Sequence, residues 1–156
     1  MLLAGIRARD DDRPTRRLRG MDVGDGGGAL AELREDECWN LLRERTVGRV
    51  GWQGGNGPTI VPVNYVIDER AVIIRTAPFT DLGREGSVRE LAFEVDDIDP
   101  VARSGWSVLV RGRRRLDPEA YGKTPRPEVW VGGSNWLVLR IEVRTISGRR
   151  LTSGAQ

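Results

Sequence analysis

Six runs of residues with apolar side chains at every second position, each closed by a turn, limit this chain to very few folds. Side chains of a strand point to alternate faces, so such a run offers one face to a core and one to solvent. VGRVGW (47–52) alternates and is followed by the glycine-rich turn QGGNGP. In TIVPVNYVID (59–68), Val61, Val63, Tyr65 and Ile67 share one face, and Pro62 and Asn64 the other. A tight turn at Asp68–Glu69 leads into RAVIIRT (70–76). Then come VRELAFEVDD (88–97), with Leu91, Phe93 and Val95 on one face, and, after the loop IDPVARSG, WSVLVRGRRRL (106–116). The last run, NWLVLRIEVRTI (135–146), aligns Leu137, Leu139, Ile141 and Val143. Six strands with little helical pattern between them predict a mainly β chain closed, or nearly closed, into an antiparallel barrel. Pro62 inside a strand predicts an edge, a bulge, or a place where the ladder opens toward a ligand.

Ahead of the strands, ELREDECWNLLRERT (32–46) reads as a helix. Cys38, Leu41, Leu42 and Arg45 fall at i, i+3, i+4 and i+7. Glu35, Asp36 and Glu37 suit its N-terminus, and Arg43 and Arg45 its C-terminus. Cys38 on that stripe reads as a small core residue. Residues 1–28 are charged and aperiodic, ending in the spacer GDGGG. They read as a disordered arginine/glycine-rich tail, with Met21 as an alternative start. The expected organisation is therefore a tail over 1–28, one domain over 29–152 and a short tail over 153–156. The segment from Asp117 to Gly133 is rich in proline and glycine and reads as loop.

Composition removes several classes of chemistry. There is no histidine and a single cysteine, Cys38. Zinc sites, histidine-held haem and Ser-His or Cys-His catalysis are not expected, and no disulfide can form within the chain. A reducing compartment, the cytoplasm, is the expected location. No apolar run is long enough to span a membrane. The net charge of +2 is too small to draw in nucleic acid by a global field. Strand alternation puts Arg111, Arg113 and Arg115 of RGRRR on one face, but without interleaved aromatics a nucleic-acid partner is not expected. Glu94, Asp96 and Asp97 are expected to pair with those arginines.

The chemistry concentrates in RTAPFTDL (75–82). Arg75 offers a fork of donors suited to phosphate oxygens, Thr76 a hydroxyl and a backbone N–H, and Thr80 a second hydroxyl. A helix beginning near Thr80 would add free N–H groups. Asp81 stands within the same turn and opposes an anion.

The order and spacing of ECWNLLRERTVGRVGW, GPTIVPVNYVID, IIRTAP, LAFEVDDID, SGWSVLVRGRRRL and ISGRRL resemble the pyridoxamine 5'-phosphate oxidase-like, FMN-binding split-barrel family, from about Leu33 to Leu151. The resemblance implies a six-stranded antiparallel Greek-key split barrel with a few short helices. It also implies a homodimer with FMN in clefts between subunits, and a flavin-dependent oxidoreductase acting on a small molecule. It assigns the FMN phosphate to Arg75 and Thr76, with Thr80 beside them, and the flavin ring to the strand at Val63 and Asn64. It places Trp106, Ser107 and Trp130 at the cleft, Trp136 also falling in a lining segment. The chain departs from the family's pattern where Phe79 and Asp81 replace a glycine and a basic residue. The alternatives are a barrel that binds a deazaflavin and a cofactor-less dimer serving as a binding or regulatory module.

Overall fold

The computed structural model describes residues 28–77, 80–84, 90–116, 127–128 and 136–154. The proposed tail over 1–27 and Trp130 lie outside the described residues. The described elements are β1 (Ala29–Leu33), α1 (Glu35–Arg43), β2 (Val47–Gly54), β3 (Gly57–Asp68), β4 (Ala71–Thr76), β5 (Glu90–Asp99), β6 (Ser104–Leu116) and β7 (Leu137–Thr152). All pairings are antiparallel, in the order β1-β7-β4-β3-β2-β5-β6, and β6 pairs back onto β7. Strands β2 to β7 thus close a six-stranded ring. The β2–β5 and β4–β7 neighbours skip along the chain, as a Greek key requires.

The alternating faces fall where the pattern puts them. Tyr65, Leu91, Phe93, Val95, Leu139 and Ile141 are buried in one core with Val50, Val72, Ile74, Val108 and Val110. β4 is buried on both faces, with Ala71, Ile73 and Val138 forming a smaller cluster behind it.

Four details correct the expectation. A seventh strand, β1, adds to the edge of β7 from Ala29↔Thr152 to Leu33↔Gly148. Its sequence ALAEL carries no alternation, so the distant partner segment Gly148 to Thr152, not local pattern, makes it a strand. One α-helix is described rather than a few, and it starts at Glu35 and stops before Arg45. Its buried stripe adds Trp39 to Cys38, Leu41 and Leu42. The chain enters it through a capping box in which the Arg34 backbone N–H donates to Glu37 Oε2 at 2.9 Å. Finally, β7 extends six residues beyond Ile146.

That extension depends on Gly148. A β-carbon there would sit 2.7 Å from Cys38 Sγ and 2.9 Å from Leu33 Cδ1. The missing side chain is what lets α1 rest on the end of the barrel. Gly148→Ala is expected to cost about 1–3 kcal/mol through overpacking. Urea denaturation followed by circular dichroism reads this directly, and a midpoint equal to wild type would refute it.

Candidate functional site

The barrel opens beside Tyr65. From Gly57 to Asn64, β3 pairs with β2. From Tyr65 to Asp68 it pairs with β4, where the ladder stops at Tyr65–Ile74. β4 itself continues to Arg75 and Thr76 against Val138 and Leu137 of β7. Past this point β3 and β4 therefore go separate ways. The Tyr65 N–H donates to Thr46 O on the β2 side at 2.9 Å. Backbone donors alternate sides along a strand, so the donor that Pro62 lacks faces the opposite edge, the one β4 has left. The proline stands where no ladder bond is lost. Across this opening Asn64 Nδ2 donates to the Glu128 carbonyl at 2.8 Å, tying the neighbouring segment to β3.

Arg75 and Thr76 end β4 at the mouth of the opening. The Arg75 guanidinium lies 5.9 Å from the centroid of the Trp136 ring, a cation–π distance. Thr76 is 7% exposed. Its hydroxyl is 2.8 Å from that of Thr80. Thr80 Oγ1 is 2.8 Å from the Ala77 carbonyl and 3.1 Å from the Gly83 N–H. Gly83 and Arg84 N–H groups also donate to Thr80 O at 2.9 Å. Among the described residues the chain after Thr80 is a hydrogen-bonded turn, and the residues over which the expected helix would continue lie outside them. Thr80 Oγ1 accepts from the Gly83 N–H in the manner of an N-cap and donates to the Ala77 carbonyl. Leu82 is buried beneath the turn, and Arg114 of β6 donates to its carbonyl. Asp81 and Arg84 are exposed. Arg114 has no place in the sequence argument, because RGRRR draws attention to the alternate positions 111, 113 and 115.

Val63 points inward and packs against the core. Trp106 is also a core residue, 7% exposed, with Arg45 5.8 Å from its ring centroid. Ser107 lies on the opposite, outer face of β6. It lines a cleft of about 310 Å³ with Leu109, Arg111, Ser147 and Arg149. A cleft of about 370 Å³ on the same face lies between Arg45, Arg49, Pro62 and Asp96. Another of about 470 Å³ lies at the start of β6, between Asp99, Trp106 and Arg150. None of the three is lined by Arg75.

Within one chain the predicted residues form two groups. Thr76 is opposite Leu137, whereas Ser107 is opposite Arg149, twelve positions along β7. At ~3.3 Å per residue that separation is up to roughly 40 Å of strand.

Charges on neighbouring elements are paired with one another. Arg49 bonds Asp96 at 2.5 Å and Glu94 at 3.4 Å, and Arg45 bonds Asp97. Burial, then the neighbouring Asp96 charge, pushes the Glu94 carboxyl above its usual range. These acids thus serve β2 and the loop before it, not the arginines of RGRRR as expected. Arg113 and Arg115 instead meet Glu90 at 3.7 Å and Glu142 at 3.1 Å. Directly opposed residues share a face, so Leu30, Leu151, Gly105 and Ile98 form a row across β1, β7, β6 and β5. Leu30, Ile98 and Leu151 in this row are exposed, as is Ile60 of β3 at 70%. Among the described residues, no group of three or more His, Cys, Asp or Glu is arranged to hold a metal ion. No described helix is long and apolar enough to cross a membrane.

Comparison with known proteins gives a consistent outcome. The sequence profile described as pyridoxamine 5'-phosphate oxidase matches residues 34–150. The uncharacterized protein Rv0080 of Mycobacterium tuberculosis is 32% identical over 137 residues, covering 81% of this chain and 89% of that one. Among solved structures, the FAD binding protein of Mycobacterium smegmatis is 33% identical with a TM-score of 0.58, covering 78% of this chain and 98% of its own. A Corynebacterium glutamicum protein, provisionally described as a pyridoxamine 5'-phosphate oxidase, is 28% identical with a TM-score of 0.66, covering 81% and 96%.

Proposed function

The chain belongs to the pyridoxamine 5'-phosphate oxidase family, and on that premise we propose that it is a flavin-dependent oxidoreductase that acts on a small molecule as a homodimer. The observation that carries the reading is the turn at the parting of β3 and β4. There a strand-end guanidinium, Arg75, is held beside an aromatic face, Trp136, at the mouth of an opening in the barrel. This donor set fits the phosphate end of a flavin. Arg75 supplies a planar pair of N–H donors, Arg84 adds a second positive charge one turn on, and the Thr76–Thr80 pair holds the turn in shape. FMN is the cofactor expected from the family, and FAD is the one described for the Mycobacterium smegmatis relative. Both place a phosphate at the end of the ribityl chain, where Arg75 would bind it. When bound, the flavin supplies electron and hydride transfer that no side chain here can provide.

The chain's own residues would bind, orient and enclose. Asn64 fixes the segment at Glu128 against β3 and so sets the width of the opening. Val63 shapes the inner wall from the core side. Ser107 of β6 lies opposite Arg149, too far along β7 from Val138 to join Arg75 within one chain. A second copy that lays its outer face over the opening would bring its Ser107 and Arg111 to the site. The exposed apolar row and the small residues Gly51, Ala92, Ser107 and Ser147 on that side support such a close face-to-face contact. The substrate would then enter between subunits.

Asp81 favours a second reading, the cofactor-less dimer. The absorbance spectrum of purified protein, before and after FMN or FAD addition and desalting, separates the two. Retained bands near ~370 and ~450 nm, characteristic of bound flavin, support the flavoprotein. A colourless protein that retains neither flavin supports the binding module.

A further inference from the structure

We propose that the outer face of β6 and β7 carries a second binding site, one for a small organic dianion with an acidic group at each end, of the class of short dicarboxylates. The site is separate from the turn at Arg75 and does not rest on the flavin reading.

Arginine pairing provides the first argument. On the barrel, Arg49, Arg113, Arg115, Arg140 and Arg144 each stand 2.5–3.7 Å from a carboxylate oxygen. Arg111 and Arg149 have no such partner among the described residues. Acids do stand near them. Asp96 and Glu94 lie across β5 from Ser107 and Leu109, but Arg49 holds both. Glu32 of β1 is directly opposite Arg149, yet the two form no ion pair. The donors of both guanidinium groups are therefore open to an outside acid, and a planar guanidinium matches a carboxylate with two parallel hydrogen bonds.

Their arrangement gives the second argument. Ser107 is opposite Arg149, Leu109 opposite Ser147 and Arg111 opposite Thr145, a regular register that breaks only after Arg111. Opposed residues share a face, so these pairs are successive rungs of the outer face. The rung with Arg149 and the rung with Arg111 are four positions apart, ~13 Å along the strands. Between them lie Ser147 and the half-buried Leu109. Arg111, Arg149, Ser107, Leu109 and Ser147 all line one cleft of about 310 Å³. The cleft thus has a cation at each end, an apolar side chain in the middle and a hydroxyl beside each. A compact anion uses one arginine fork and leaves Leu109 wet. A dicarboxylate uses both forks and lays its methylene groups over Leu109. In the dimer proposed above, this face is turned to the partner's opening, so the dianion would lie at the entrance for substrate.

The test is isothermal titration calorimetry of the full-length protein at fixed ionic strength. The probes are succinate, glutarate and adipate, with acetate and inorganic phosphate as single-headed controls. Wild type is expected to bind the best dicarboxylate about tenfold more tightly than acetate, the worth of one further charge-assisted hydrogen bond. Arg111→Gln and Arg149→Gln are each expected to erase that advantage. Arg113→Gln, on the same strand but outside the cleft, should leave it unchanged. Glu32→Gln should strengthen binding, because it removes the acid opposite Arg149. All four side chains are exposed, so thermal melts should match wild type. Equal affinity for acetate and every dicarboxylate overturns the proposal. So does an advantage that survives both Arg111→Gln and Arg149→Gln, or phosphate bound more tightly than any dicarboxylate. None of these outcomes touches the flavin reading, which the absorbance spectrum tests separately.

Discussion

Phe93→Ala is expected to destabilise the fold by about 3–5 kcal/mol, the range for removing a large aromatic from a packed core. Phe93 is fully buried on β5, between Val50 of β2 and Val110 of β6. Its ring meets Tyr65 edge-on, with centroids 4.8 Å apart and planes at 71°. That contact adds about 0.5–1.5 kcal/mol beyond area burial. The site cannot collapse to fill the space, because the residue beneath the ring is Gly48. A β-carbon at Gly48 would lie 2.5 Å from Phe93 Cζ. The glycine exists to seat the ring, and it has nothing to offer once the ring is gone. Gly48→Ala alone should therefore be destabilising by overpacking, yet its cost should fall in the Phe93→Ala background. A double-mutant cycle by urea denaturation measures the coupling. A Phe93→Ala loss under ~1 kcal/mol, or strictly additive effects, would refute this account of the core.

The same pair shows why the barrel was legible in sequence and much of the candidate site was not. Alternation in LAFEV and NYVI fixes which side chains face inward, and every strand so read is a strand. Alternation carries no information on which strands meet. β1 escaped notice because ALAEL is made a strand only by Gly148–Thr152, far along the chain. The partners of Glu94 and Asp96 were misassigned for the same reason. Spacing cannot show that β5 has β2 on its other edge, with Arg49 opposite Glu94. At the site, residue types were readable but their hydrogen bonds were not. Thr76 and Thr80 look like two donors in sequence and prove to be bonded to each other, with Thr80 also tied to Ala77 and Gly83 of the same turn. Pro62 is the instructive success. A proline in a strand implies an edge without a donor, and that edge is where β3 and β4 part.

Arg75→Ala is expected to weaken flavin binding by about 100-fold. Two charge-assisted hydrogen bonds to phosphate, at about 1.5 kcal/mol each, amount to about 3 kcal/mol, or roughly two decades in affinity. The remaining cation of the turn, Arg84, is exposed and would recover part of the charge but not the geometry at the end of β4. The Trp136 contact argues that the loss is one of binding and not of fold. A cation–π pair between half-buried side chains is worth about 1 kcal/mol, so the variant should melt within several degrees of wild type. Arg75→Lys separates charge from shape. A lysine keeps the positive charge but not the planar fork, so it should restore some affinity and fall short of wild type. Thr80→Val offers the contrast from within the same turn. Its hydroxyl serves Ala77, Thr76 and Gly83, so its loss should lower the melting temperature and weaken binding only as far as the turn loosens. Fluorescence titration with FAD and FMN alongside thermal melts reads all three variants. If Arg75→Ala binds flavin within threefold of wild type, the phosphate is held elsewhere, and the opening between β3 and β4 is not the cofactor site.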